Sequence, residues 1–154
     1  MMKLCSDVLS ALKGRTLVTA ESLTGGGIGS LLTTVPGASS VYKGGVISYT
    51  NEVKESLLGV PSEILNTYGA VSAQTAAAMA EGVRKLLKAD VAVSVTGLAG
   101  PGGDEFGNPV GTVFIGYADD RNSIVKHCLF SGSREEVRRK TTQTALELIL
   151  EQNQ

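Results

Sequence analysis

The chain reads as an α/β protein: a three-layer α/β/α sandwich around a mixed five-stranded sheet in the order 2-1-3-4-5, with one antiparallel strand. Three observations predict this. Short β-rich runs alternate with amphipathic helical segments, the pattern that right-handed crossovers build into a sheet covered on both faces. Asp90-Val-Ala-Val-Ser-Val-Thr96 is apolar almost without interruption, as a central strand buried on both sides requires. The last two strands meet across Asp119-Asp-Arg-Asn122, a hairpin connection that forces one strand to run antiparallel.

The elements follow in order. Leu4, Val8, Leu9 and Leu12 recur at helical spacing, and Gly14 ends that pattern before the strand Thr16-Leu-Val-Thr-Ala20. A helix is expected from Thr24 to Thr34 despite its glycines, stopped by Pro36-Gly37. Gly45-Val-Ile-Ser-Tyr49 reads as the second strand. Asn51 reads as the N-cap of a helix over Glu52 to Leu58, and Pro61 opens a further helix that closes near Gly69. Ser72 caps a long helix through Leu87 with an apolar face of Ala76, Met79, Ala80, Val83, Leu86 and Leu87. The strand at 90–96 leads into a glycine-rich connection from Gly97 to Pro109, long enough to carry function. Strands at Gly111 to Ala118 and Ser123 to Phe130 follow, and Ser133-x-x-Glu136 is a capping box for a last helix with Val137, Thr141, Ala145, Leu148 and Ile149 inward. In this strand order the switch point lies between strands one and three, so a ligand is expected at their carboxyl ends, where Ser22, Tyr49 and Thr96 fall.

Composition narrows the class. The 154 residues suit one domain over 1–154, and 14 basic against 15 acidic side chains leave a net charge of −1. Such a chain has no excess of cations to displace counterions from a phosphate backbone, so a nucleic-acid partner is not expected. No apolar run approaches about 18 residues and no signal-peptide pattern opens the chain, so neither a membrane partner nor export is expected. The expected location is the cytoplasm. Cys5, Cys128 and the one histidine, His127, are too few and too scattered for a zinc site, and Cys5 reads as a small buried hydrophobe. A small domain with apolar helices is also a candidate for a symmetric homodimer.

Among the nucleophiles, Ser22 stands at a strand-to-helix junction ahead of Thr24-Gly25-Gly26-Gly27. There a hydroxyl lies beside helix-start N–H groups able to hold an oxyanion; the same position would also suit a helix cap. The surroundings are not the G-x-S-x-G elbow. His127 has no acidic neighbour and reads as structural, which leaves lysine as the base. With Asn51 as N-cap, Lys54 falls at N3, where the helix dipole disfavours its ammonium; the alternative is a solvated lysine paired with Glu52 or Glu55. Tyr49 lies five residues before Lys54, close enough to set its phenol beside the amine, or else it packs at the sheet edge. The loop from Gly97 lacks the Gly-Lys-Ser/Thr of a Walker loop, although its N–H groups suit a phosphate.

The segments Ala20-Glu-Ser-Leu-Thr-Gly-Gly26, Gly44-Gly-Val-Ile-Ser-Tyr-Thr-Asn-Glu-Val-Lys54, Leu58-Gly-Val60, Gly69-Ala-Val-Ser72, Thr96-Gly-Leu-Ala-Gly-Pro101 and Pro109-Val-Gly-Thr-Val113 together resemble the C-terminal domain of the competence-damage protein CinA. The stand-alone members of that family are the PncC-like nicotinamide-nucleotide amidohydrolases. The resemblance runs from Val18 through the segment at Arg134 and its helix. It implies hydrolysis of nicotinamide mononucleotide to nicotinic acid mononucleotide and ammonia, with no metal or other cofactor. By position, Ser22 matches the nucleophile, Lys54 the base and Tyr49 the tyrosine beside them. Thr24, Gly25 and Gly26 match the oxyanion side, and Thr96 a pocket hydroxyl. Arg134 and Arg138 are implied anion contacts, and the matched segments add Asn51 and Gly97 to the substrate-binding set. The competing expectation is a non-catalytic nucleotide-binding domain with the same cleft.

Overall fold

A computed structural model describes all residues, 1–154. The strands are β1 (Leu17–Glu21), β2 (Tyr42–Ile47), β3 (Val91–Gly97), β4 (Thr112–Ala118) and β5 (Ser123–Leu129). The helices are α1 (Met2–Ala11), α2 (Gly27–Leu32), α3 (Asn51–Ser56), α4 (Ser62–Tyr68), α5 (Ala73–Leu87) and α6 (Arg134–Gln152), with a 3₁₀ turn at Ala38–Ser40. The sheet order is β2-β1-β3-β4-β5, as expected. β1 runs parallel to both neighbours, while β4 is antiparallel to β3 and β5 and is the one reversed strand.

Side-chain alternation along the central strands feeds two cores, one on each face of the sheet. Leu17, Val91, Val93 and Val95 join Val8 of α1, Ile28 of α2 and Leu146 of α6 on one face. Val18, Ala20 and Ala92 join Leu65 of α4 and Met79 and Val83 of α5 on the other. β3 is buried through its first six residues, which explains its unbroken apolar run. Where the backbone must come close, a small residue stands: Gly116 of β4 faces the Ala76 carbonyl of α5, where a Cβ would lie 2.5 Å away. The capping box at Ser133 and Glu136 forms as expected.

Four local expectations are corrected. β2 starts at Tyr42 and ends before Ser48, since Gly44 and Gly45 lie inside it; a Cβ on Gly45 would come within 2.8 Å of the Thr19 carbonyl of β1. α2 starts at Gly27, three residues later than expected, because Gly25 and Gly26 take positive φ values of 57° and 96° and hold residues 22–26 as turns. The N-cap of α3 is Thr50, whose Oγ1 accepts from Val53 N at 3.4 Å, and Asn51 is the first helical residue. Leu86 is 47% exposed; the inward face of α5 runs through Ala76, Met79, Ala80 and Val83.

Candidate active site

β1 and β2 end side by side, and the chain leaves each in a different direction. Ser22 follows the last residue of β1 and is held to β3 by its N–H, which donates to the Val95 carbonyl at 3.1 Å. Ser48 follows β2 and is tied to β1 through its N–H on the Glu21 carbonyl at 2.9 Å. α3 then turns back over the end of the sheet and brings Lys54 to Ser22. Lys54 Nζ lies 3.1 Å from Ser22 Oγ, 2.9 Å from the Ser48 carbonyl and 3.3 Å from the Tyr49 carbonyl.

Lys54 is 1% exposed and makes no ion pair, so the solvated alternative, paired with Glu52 or Glu55, is overturned. Burial lowers its pKa to about 8, because an ammonium loses hydration there that two carbonyls replace only in part. The residue sits at N4 of α3 rather than N3, so desolvation and not the helix start is the cause. A neutral amine carries two N–H bonds and one lone pair. The two carbonyls account for the N–H bonds, and Ser22 is the remaining neighbour for the lone pair. Ser22 caps no helix: the N-cap of α2 is Gly26, without a side-chain bond.

The turn after Ser22 is organised by Glu21, which the sequence analysis did not assign. Its Oε1 accepts from Thr24 Oγ1 at 2.7 Å and Ile28 N at 2.8 Å, and its Oε2 from Gly29 N at 3.0 Å and Thr19 Oγ1 at 3.2 Å. The available signal was a carboxylate at the end of a strand that carries no other charge. The first-turn amides of α2 are thereby occupied, Ile28 and Gly29 by Glu21 and Gly27 by the Thr24 carbonyl at 2.9 Å. The amides of Leu23 and Thr24 make no hydrogen bond within the chain and directly follow the serine.

Ser22 and Lys54 lie at the base of a cleft of about 820 Å³, within the range of small-molecule sites. Tyr49, Asn51, Thr96, Gly97 and Arg134 also line it, whereas Thr24, Gly25, Gly26 and Arg138 do not. The profile of the CinA C-terminal domain matches residues 1–153. The chain belongs to the CinA C-terminal domain family. A putative competence-damage inducible protein of Bacillus mycoides is 53% identical over 131 residues, covering 84% of this chain and 32% of that protein. A CinA-like protein of Thermotoga neapolitana is 48% identical over 133 residues, 86% of this chain and 32% of that protein. The chain thus spans about a third of the length of these curated relatives. Among solved structures, a competence or damage-inducible protein from Enterobacter asburiae aligns with a TM-score of 0.97 at 32% identity, covering 99% of this chain and 98% of that one. The competence/damage inducible protein CihA from Agrobacterium tumefaciens aligns at 0.95 and 39% identity, covering 99% and 95%.

Within this CinA-type cleft, several side chains differ from their expected roles. Tyr49 meets Lys54 through its main-chain carbonyl, while its exposed phenol accepts from Arg134 Nη2 at 3.3 Å. Arg134 is the arginine on the cleft wall, and its Nη1 donates to the Gly100 carbonyl at 2.7 Å, holding the glycine-rich loop. Arg138 is turned away from the cleft: Nε donates to the Leu23 carbonyl at 2.9 Å and Nη2 to the Thr24 carbonyl at 3.3 Å, so it clamps the serine turn from behind. Thr96 is buried and donates to the Ala70 carbonyl at 2.7 Å, joining β3 to the α4–α5 turn. Phe106, absent from the expected set, lines the cleft from the loop and packs against Gly69, where a Cβ would come within 2.7 Å of the ring. His127 stacks on Phe114 with ring centroids 4.5 Å apart and does not line the cleft. No group of three or more His, Cys, Asp or Glu side chains converges to hold a metal, and no helix is long and apolar enough to cross a membrane.

Proposed function

We propose that this chain is a Ser–Lys amidase that hydrolyses the carboxamide of nicotinamide mononucleotide to the carboxylate and ammonia. The observation that carries the reading is the 3.1 Å approach of a buried lysine with a depressed pKa to a serine that has no other side-chain partner. Neutral Lys54 takes the Ser22 proton, and Ser22 Oγ attacks the amide carbon. The amides of Leu23 and Thr24 are the free donors nearest the nucleophile in sequence and serve the oxyanion. As the C–N bond breaks, the Lys54 ammonium gives its proton to the departing amine, which leaves as ammonia. Lys54, neutral again, takes a proton from water, whose oxygen attacks the seryl ester; as the ester C–O bond breaks and the acid product leaves, the Lys54 ammonium returns that proton to Ser22 Oγ.

The substrate assignment rests on family membership together with the cleft itself. Its volume suits a mononucleotide, Tyr49 and Phe106 offer aromatic surfaces for a pyridine ring, and Arg134 offers a cation for an anionic group. The test is ammonia release from nicotinamide mononucleotide by the purified protein, with Ser22→Ala as the comparison. Ammonia in molar balance with the acid product, lost in Ser22→Ala while nucleotide still binds, is the expected result. Nucleotide binding without ammonia release in the wild type would instead make the domain a non-catalytic binder.

A further inference from the structure

We infer that Glu21 is a positioning residue for the Ser22–Lys54 pair, setting the serine turn through its carboxylate and the lysine-bearing segment through its carbonyl. The inference rests on the Ser–Lys reading. Glu21 is 2% exposed, and its two oxygens accept four hydrogen bonds, two from backbone amides of α2 and two from hydroxyls. One of those hydroxyls is Thr24, two residues past the nucleophile. The main chain of the same residue accepts from Ser48 N, and the Ser48 carbonyl in turn accepts from Lys54 Nζ. One residue therefore links both halves of the dyad by short paths. The side chain departs on the α2 face of the sheet, so it touches neither Ser22 Oγ nor Lys54 Nζ and acts only through them.

The chemistry of the carboxylate explains why no other side chain of similar size serves. All four partners can donate, and both backbone amides can only donate. A glutamine would turn its NH₂ toward either Ile28 N–H or Gly29 N–H, leaving that amide without an acceptor, while the hydroxyls can rotate to adapt. Relief of that conflict requires the start of α2 to move against the turn, and the turn carries Ser22 and the two free amides. Displacements of about 1 Å in a catalytic constellation cost about 10²-fold in rate.

The experiment compares wild type, Glu21→Gln and Thr24→Val in two assays: ammonia release from nicotinamide mononucleotide, and covalent labelling of Ser22 by a fluorophosphonate without substrate. Circular dichroism gives the folded fraction. Expected for Glu21→Gln are a kcat per folded molecule lowered about tenfold to a hundredfold, KM within twofold, and labelling slowed in parallel. The pH midpoint of the remaining activity stays at that of the wild type, since Lys54 is untouched. Thr24→Val keeps the carboxylate and both amide bonds, so it should lose kcat by a smaller factor, and it carries the test if Glu21→Gln does not fold. A merely structural Glu21 predicts a lower melting temperature with wild-type kcat and labelling in the folded fraction, and that result overturns the inference. Wild-type protein that neither labels nor releases ammonia overturns the Ser–Lys reading and this inference together, whereas an active wild type with an equally active Glu21→Gln overturns this inference alone.

Discussion

Replacement of Lys54 by arginine separates a general base from a merely cationic neighbour. At a pKa of about 8, about a tenth of Lys54 is free amine at pH 7, against well under a thousandth for an unperturbed lysine near 10.4. Burial thus raises the fraction of competent base by about two orders of magnitude. Arginine keeps the charge at any working pH, so it stays a donor where Lys54 now donates to the Ser48 and Tyr49 carbonyls but cannot take the serine proton. Loss of a general base costs about 10²–10⁴-fold, and Lys54→Arg should lie in that range beside Lys54→Ala. Ammonia release measured between pH 6 and 10 should rise about tenfold per pH unit in the wild type and level off near pH 8, where the amine becomes mostly neutral. Retention of more than about a tenth of wild-type turnover by folded Lys54→Arg would refute the assignment. So would a wild-type profile that is flat below pH 8.

Three further outcomes follow from the same geometry. Because the folded pKa of Lys54 is depressed, the unfolded chain binds more protons between about pH 8 and 10.5. Wild-type stability should therefore rise across that window relative to Lys54→Met, by up to about 3 kcal/mol in denaturant titrations; an unchanged difference between the two proteins would show that burial does not strain the ammonium. Gly82→Ala in α5 sets a Cβ into the Leu58 carbonyl group and 2.8 Å from its carbon, so despite better helix propensity it should cost about 1–3 kcal/mol; a melting temperature equal to wild type would contradict that packing. Treatment with EDTA should leave ammonia release unchanged, since the proposed chemistry uses only serine, lysine and backbone amides; activity lost to the chelator and restored by Mg²⁺ or Zn²⁺ would contradict it.

Local patterns were sufficient for much of the architecture. The apolar run at 90–96 marked β3 because a strand covered on both faces needs no polar alternate positions. Ser72 and the Ser133/Glu136 box marked the starts of α5 and α6 because capping is decided within four residues. Boundaries failed where a tertiary contact outweighed the local preference. The second strand was expected to begin only at Gly45, yet β2 runs from Tyr42 through Gly44 and Gly45, and at Gly45 the close approach to Thr19 leaves no room for a side chain. Thr50 and Asn51 are both good caps, and the sequence does not say which one the preceding strand delivers to the start of α3.

The candidate site divides along the same line. Ser22, Lys54 and Tyr49 were legible as residue types at a strand-to-helix junction, an early helix turn and a strand end, while the roles of Thr96 as a pocket hydroxyl and Arg134 as an anion contact were implied only by the family resemblance. That Lys54 is buried rather than paired with Glu52 or Glu55, that Arg138 clamps the serine turn from outside the cleft, and that Tyr49 meets the amine through its carbonyl were decided only by the tertiary structure. Glu21 was in view as a letter but not as a four-fold acceptor, since its donors come from β1, the turn and α2. Periodicity and capping act over a few neighbouring residues and are written into the sequence. Burial, the pKa of a lysine and the direction of a guanidinium depend on what distant segments bring alongside, and those exist only once the sheet has closed over its helices.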